Sequence, residues 1–398
     1  MTIRAAVCLI SSAILLCTTA GCIGRAYKPQ PDSFATVLAR AESRTQGDVR
    51  VTTVVPSPAE AQKFFDLDLY GRGIQPVWLE VENNSNDQLR FAPTGLDRAY
   101  FSPLEVAYVL RAGLTRSAQA EVDRYLRDST MPRHIPPGTA VSGFVFTHSS
   151  PGTKGFSIDL FGAIGGGYAF TFFIPVPGFI PDHAEIETAK LYPAEQLRNY
   201  EINEFKTVLA EQPQRADLHD KPGSGRPINL ILVGVADDLN HALLRSGWYE
   251  IPRPAGKDEV ATAQHLKQRV ADAVFRKRRQ GGTDRNELLL WLSPFSVEDK
   301  PVWWAQTNQF FSDWLGQSVL DPDVDDATVY LLHDLWYGQG LASYAWVRGA
   351  PFEGESDNFF DTPFFSTGLR AVLWLSASPV SMLETKRLDL NTAAVTNQ

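Results

Sequence analysis

The sequence predicts an α+β protein: an N-terminal antiparallel β-sandwich-like domain with a helical insertion, followed by a mixed α/β domain. Three observations carry this reading. Short β-branched and aromatic runs recur between turn clusters in the first half, among them Val77–Glu82, Ala140–Thr147 and Tyr168–Ile174. Helical spacing from Pro103 to Asp128 interrupts that series. The second half opens on Pro227–Tyr249, which reads as strand, helix and return. Hydrophobic residues make up 44% of 398, enough for real cores and for two domains behind a leader.

Residues 1–21 read as a lipoprotein signal peptide. Arg4 gives a positive start. Ala5–Leu16 is an apolar core of about a dozen residues, too short to span a bilayer as a helix. Thr18-Thr19-Ala20-Gly21-Cys22 then resembles the bacterial lipobox, with Thr19 where that motif usually has Leu. Cleavage before Cys22 leaves it as the lipidation residue. Cys8 and Cys17 leave with the leader, so no intramolecular disulfide and no thiolate metal site is expected. Ile23, rather than Asp, at the second mature position points to the outer membrane. The expected location is the cell envelope, on the membrane through an N-terminal lipid and facing the periplasm.

Residues 22–47 are polar and read as a tether. The β-sandwich-like domain is expected over 48–190. Val51–Val55 is its first β-rich run, and Ala59–Phe65 a short helix. Asn83–Asp87 is a turn cluster before the return strand Leu89–Phe91. Ser102 is placed to cap a helix with Pro103 in its first turn, and a second helix follows near Ala118–Arg127. Ala140–Thr147 and Gly155–Phe161 are expected to form a hairpin around Pro151-Gly152-Thr153. Leu160–Pro181 carries no charge, but its five Gly and three Pro suit two strands and a loop better than a membrane helix. Tyr192–Glu211 reads as a helix, and Gln212–Arg226 as the interdomain linker, so 191–226 is expected to be helix and linker.

The α/β domain is expected over 227–376, with 377–398 as a tail. Ile228–Val233 suits a strand buried on both faces. Asp237 or Asp238 is placed to cap the next helix, and Gly247 suits a left-handed residue after it. Asp258–Arg279 has Val260, Ala263, Leu266, Val270 and Val274 at helical spacing, with acids at its start and bases at its end. Leu288–Leu292 and Val302–Gln306 are strands about a turn at Glu298-Asp299-Lys300. A helix over Asp325–Tyr337 and strands at Ala342–Val347 and Leu369–Leu375 complete the set.

Three segments carry a family resemblance: Pro227–Tyr249; Pro301-Val302-Trp303 with Leu320–Asp325; and Ser366-Thr367-Gly368-Leu369-Arg370. Residues about 225–376 resemble the LssY C-terminal domain family. The resemblance implies a mixed α/β fold and an association with type I secretion. It implies no phosphatase activity, because the membrane-embedded segments of the family's namesakes are not in this sequence.

The chemistry-bearing motifs are few. Asp321-Pro322-Asp323-Val324-Asp325-Asp326 is the candidate divalent-metal site, through Asp321, Asp323 and Asp325. An EF-hand loop would need Gly at 326 and Glu at 332, where Asp326 and Leu332 stand. The competing reading is a cap, with Asp325 as N-cap and Asp326 in the first turn. None of the seven His (134, 148, 183, 219, 241, 265, 333) makes a helical zinc motif. Gly223-Ser224-Gly225 lies in the linker rather than in a nucleophile elbow. Gly165-Gly166-Gly167 lacks the following Lys-Ser/Thr of a phosphate loop and reads as a turn. Arg276–Arg279 reads as a solvated helix end, or else a patch for anionic headgroups or nucleic acid. Trp303-Trp304 and Phe310-Phe311 read as aromatic core, or else the lining of a ligand cleft.

A formal net charge of −9 argues against general nucleic-acid binding. The reading that follows is a lipid-anchored envelope protein with a binding or assembly role, an unidentified envelope protein as partner, no cofactor and no catalysis. The alternatives are a metal-assisted hydrolase centred on Asp321, Asp323 and Asp325, and a periplasmic carrier of an apolar ligand.

Overall fold

A computed structural model describes residues 25–150, 152–177, 191–218, 221–251, 264–278, 284–354 and 363–390. The protein is α+β. It divides into two compact units: Met1–Ser150 with Phe156–Pro177, and Pro151–Gly155 with Gly178–Gln398.

The first unit holds two four-stranded sheets. Strands β1 (Glu42–Gln46), β2 (Val49–Val54), β3 (Ile74–Asn83) and β6 (Thr139–His148) form one, in the order β1-β2-β3-β6. Strands β4 (Leu89–Ala92), β5 (His134–Ile135), β7 (Thr153–Gly162) and β8 (Gly167–Pro175) form the other, in the order β5-β4-β7-β8. Alternation puts Val77, Leu79 and Val81 of β3 into one core with Phe156, Ile158 and Leu160 of β7, so the sheets pack face to face.

The opposite face of the first sheet presents Phe144 and Phe146 to a helical layer. That layer contains α1 (Ala35–Leu38), α2 (Pro58–Phe65), α3 (Pro103–Leu110) and α4 (Arg116–Asp128). Ser102 caps α3 as expected: its hydroxyl accepts the Glu105 amide, and its own amide donates to the Glu105 carboxylate at 2.6 Å. On α4 the buried residues Ala118, Val122 and Leu126 recur every fourth position, which is the helix face turned to the aromatic core.

Two expectations for this unit are corrected. The described part of the tether, from Arg25 on, is folded: Tyr27, Phe34 and Val37 are buried in the helical core, and the Arg25 guanidinium holds the Asp66 carboxylate at 2.6 Å. Spaced aromatics in a polar background sufficed to dock it. The hairpin between β6 and β7 does not form either. β6 pairs with β3, β7 pairs with β4, and the chain crosses from one sheet to the other. The glycine turn is where it was expected, with Gly165 and Gly166 at positive φ between β7 and β8.

The second unit is built on one mixed sheet. It contains β9 (Arg198–Tyr200), β11 (Leu230–Val233), β12 (Tyr249–Ile251), β14 (Ala273–Arg278), β15 (Arg285–Val297), β16 (Lys300–Ser312), β17 (Ser318–Leu320), β18 (Leu341–Gly354), β19 (Phe364–Leu375) and β20 (Lys386–Arg387). A small separate ladder joins β10 (Asp217–Leu218) to β13 (Gln264–His265). The main order is β12-β14-β15-β16-β11-β19-β18-β20, with β17 on β16 and β9 on β15. β11 is central and wholly buried, antiparallel to β16 and parallel to β19.

One face of this sheet packs on α6 (Ala236–Arg245) and α7 (Val324–Tyr337) through Leu239, Leu243, Leu331 and Leu335. The other face is covered in part by α5 (Ile202–Val208), whose Phe205 meets Ile231, Val233 and Val372. Gly247 ends the α6 turn at φ 82°, a conformation that costs a Cβ-bearing residue energy. The β15–β16 hairpin turns through Glu298 and Asp299, both at positive φ, as its tight connection requires.

Four expectations are corrected here. The described part of Asp258–Arg279 is not helix. Ala273 and Phe275 pack on one face of the sheet and Val274 on the other, while β12 and β15 satisfy the backbone of β14 on both sides. Such a twice-buried strand carries the continuous apolar run that also mimics a helix. The Tyr192–Glu211 helix is reduced to Ile202–Val208 with 3-10 turns at Ala194–Gln196 and Leu209–Glu211, because Arg198–Tyr200 pairs with the Phe295–Val297 end of β15. The described part of the linker is packed, with Gln212, Ala216, Leu218 and Arg226 buried. The described part of the tail adds β20 to β18 and buries Leu390.

Candidate functional site

Cys22 lies outside the described residues, as do His183 and His219. The three acidic candidates are described, and each serves a backbone amide. Asp321 accepts from the Asp323 amide at 2.9 Å. Asp323, not Asp325, is the N-cap of α7, accepting the Asp326 amide at 3.0 Å. Pro322 holds the segment extended, so the cap falls two residues and the helix start one residue before the expected place. Asp325 instead reaches β19, where it accepts the Thr367 amide at 2.7 Å. Among the described residues, no three His, Cys, Asp or Glu are grouped so as to hold a metal ion.

The other motifs are likewise engaged. Trp303 donates to the Gly234 carbonyl and Trp304 to the Gln212 side chain, both within the core. Arg276 pairs with Glu287 at 2.8 Å, and Lys277 with Asp334 at 2.7 Å, so the basic run is a strand tied down by carboxylates. His148 stands against Asp97, which also accepts the His148 amide; this clamps the end of β6. The Ser224 hydroxyl donates to the Lys221 carbonyl within a turn. An apolar cleft lined by Phe91, Tyr100, Phe101 and Phe144 in the first unit holds about 20 Å³, room for a water but not for a lipid chain.

The unexplained chemistry lies at one end of the central sheet of the second unit. Ile228, Trp291 and Trp304 share a cluster on the face away from α6 and α7. By alternation Gln306 and Asn308 continue that face along β16, and Arg226 continues it beyond Ile228. Arg226 is 1% exposed and Arg370, on β19, is 0% exposed. Charged side chains are almost never this buried unless paired. Neither has a carboxylate within ion-pairing reach among the described residues, and burial pushes both guanidinium groups down to about 10. Both therefore remain cationic at neutral pH.

The two arginines differ in what they hold. Arg370 donates to the carbonyls of Ile228 at 2.8 Å, Pro213 at 2.5 Å and Gly349 at 2.7 Å, and its Nη1 has no partner among the described residues. It staples three segments. Among the described residues the Arg226 guanidinium donates only to the Asp321 carbonyl, at 2.8 Å, and its Nε and Nη1 have no partner. Its own backbone is held firmly: the amide donates to Gln264 and the carbonyl accepts from Gln306. Gly225 lets this ladder close, since a Cβ there would lie 2.9 Å from the Ala216 carbonyl oxygen and nearer still to the Gln264 side chain. Asn308 is also buried, and its Oδ1 has no donor among the described residues.

No protein-family model matches this chain, and no curated protein matches it either. The site is therefore read from its own geometry. Sequence reasoning missed it: Arg226 stood as the last residue of the linker, and Arg370 entered only through the family resemblance. The usable signal was Arg370 itself, a lone cation leading the apolar run Ala371–Leu375.

Proposed function

We propose that this chain is a lipid-anchored cell-envelope protein that binds a ligand in its second unit and does not turn it over. The observation that carries the binding reading is Arg226, a buried guanidinium most of whose donors are unused. A fold that needed only a core gains nothing from such a group, because an apolar side chain of similar volume is often as stabilising or more so. The employment of Asp321, Asp323 and Asp325 on backbone amides favours binding over metal-assisted hydrolysis. The anchor rests on Ala20-Gly21-Cys22, and the LssY-like reading of residues about 225–376 on the segments quoted above. An envelope protein as partner belongs to the same proposal.

Native mass spectrometry of the full chain, extracted from envelope in detergent and never unfolded, tests the binding reading. The expected native mass exceeds the denatured mass by a small molecule. Equal masses would sink the reading.

A further inference from the structure

The polar end of the central sheet offers a mismatched pair of orphans. Arg226 has donors to spare, on Nε and Nη1. Asp321 offers it a carbonyl, while the Asp321 carboxylate is engaged with the Asp323 amide. Asn308, on the same face, has an acceptor to spare. Its Nδ2 is directed at the Gln306 Oε1, at 3.3 Å, which leaves its own Oδ1 unmatched. Gln306 fixes the orientation of both amides, because its Nε2 donates to the carbonyls of Arg226 at 3.0 Å and Pro227 at 3.3 Å. If either amide were turned over, two acceptors or two donors would face each other.

A bound group that satisfies this end must accept from a guanidinium and donate to a carbonyl oxygen. We propose that it is a tetrahedral oxyanion that keeps a hydroxyl at neutral pH, of the hydrogen phosphate type, with Arg226 donating to its oxygens and Asn308 accepting its proton. The inference rests on the binding reading above and names the ligand class for it. Charge and hydrogen bonding agree: an anion offsets what the Asp321 charge leaves of the Arg226 cation, and the hydroxyl donates on the side of Asn308, where the Glu287 carboxylate opposite it on β15, itself paired with Arg276, would repel a fully ionised oxyanion. Sulfate, which has no proton at neutral pH, and a phosphodiester such as a lipid headgroup, which has none either, fit the donor but not the acceptor.

Thermal unfolding and calorimetric titration of the full chain in phosphate-free buffer test this. Inorganic phosphate is expected to raise the melting temperature and to bind at least about tenfold more tightly than sulfate or dimethyl phosphate, since a buried polar group left unmatched discriminates strongly. Asn308→Ala should bring phosphate and sulfate together while keeping anion binding. Arg226→Met should abolish both; should it fail to fold, Arg226→Lys should weaken phosphate at least about tenfold, because a point charge does not replace the fork. Indifference of the wild type to phosphate overturns the assignment, as does equal affinity for sulfate or phosphate binding that survives Arg226→Met. A native mass that retains a neutral molecule alongside indifference to phosphate would leave the binding reading standing and remove the oxyanion.

Discussion

The carboxylate of Asp325 accepts the backbone amide of Thr367 at 2.7 Å, so the first turn of α7 is tied to the start of β19. The acidic turn therefore acts as a structural joint. Asp323→Ala removes the cap and is expected to cost about 0.5–2 kcal/mol. Asp325→Ala removes a bond at an exposed position, where water takes over the Thr367 amide, and is expected to cost about 0.5–1.5 kcal/mol. Urea unfolding of the variants measures both. Millimolar Ca²⁺ or Mg²⁺ is expected to leave the melting temperature unchanged. A rise that Asp323→Ala abolishes would restore the hydrolase reading.

The anchor has a direct check. Wild-type protein should incorporate a clickable fatty acid and fractionate with the outer membrane, and Cys22→Ser should do neither. An unlabelled wild type would remove the anchor from the proposal.

Asp97 sets an acid limit on the first unit. Burial alone would raise its carboxyl. The bonds from the His148 amide and ring and from the Ala99 amide outweigh that and hold it below the usual carboxylate range. A carboxylate with a depressed folded pKa stabilises above its unfolded value, near 3.9, and that contribution is lost as pH falls through the folded one. Wild-type stability should therefore drop on acidification below about pH 4. Asp97→Asn should be less stable at pH 7 and lose part of that slope, as denaturant midpoints taken across pH would show.

Phe205 distinguishes a packed segment from a helix leading into a linker. It is 0% exposed and lies against Ile231, Val233 and Val372 of the central sheet. Phe205→Ala is expected to cost about 3–5 kcal/mol. A change within about 0.5 kcal/mol, typical of surface positions, would return the segment to the linker reading.

What was legible in the sequence was local. Ser102 capping α3, the left-handed Gly247 and the Glu298-Asp299 turn each follow from the chemistry of a few adjacent residues. What was not legible depends on distant partners. Ala273–Arg278 is a strand because β12 and β15 lie on either side of it. β6 and β7 are close in sequence, yet each finds its mate in a different sheet. Arg215 to Arg226 has the composition of a linker and is held by ladder bonds: Ala216 donates to the Arg226 carbonyl, and Ile228 to that of Gln214. The buried site was hidden for the same reason, since its members come from four strands or strand approaches.

The two buried arginines should respond oppositely to the same change. Arg370→Met leaves the buried carbonyl of Ile228 and the half-buried carbonyls of Pro213 and Gly349 without their donor. Each orphaned buried group costs about 1–3 kcal/mol, so the variant is expected to lose about 3 kcal/mol or more, or to fail to fold. Among the described residues, Arg226→Met strands only the Asp321 carbonyl and removes a cation whose desolvation the Asp321 charge offsets only in part. In phosphate-free buffer it is expected to be as stable as the wild type or more stable, as apolar replacements of buried charges often are. In phosphate the order should invert, because only the wild type gains from the ligand. Side-by-side urea titrations of both variants, with and without phosphate, read this directly. A large loss for Arg226→Met in the absence of phosphate would show that Arg226 is a structural staple like Arg370.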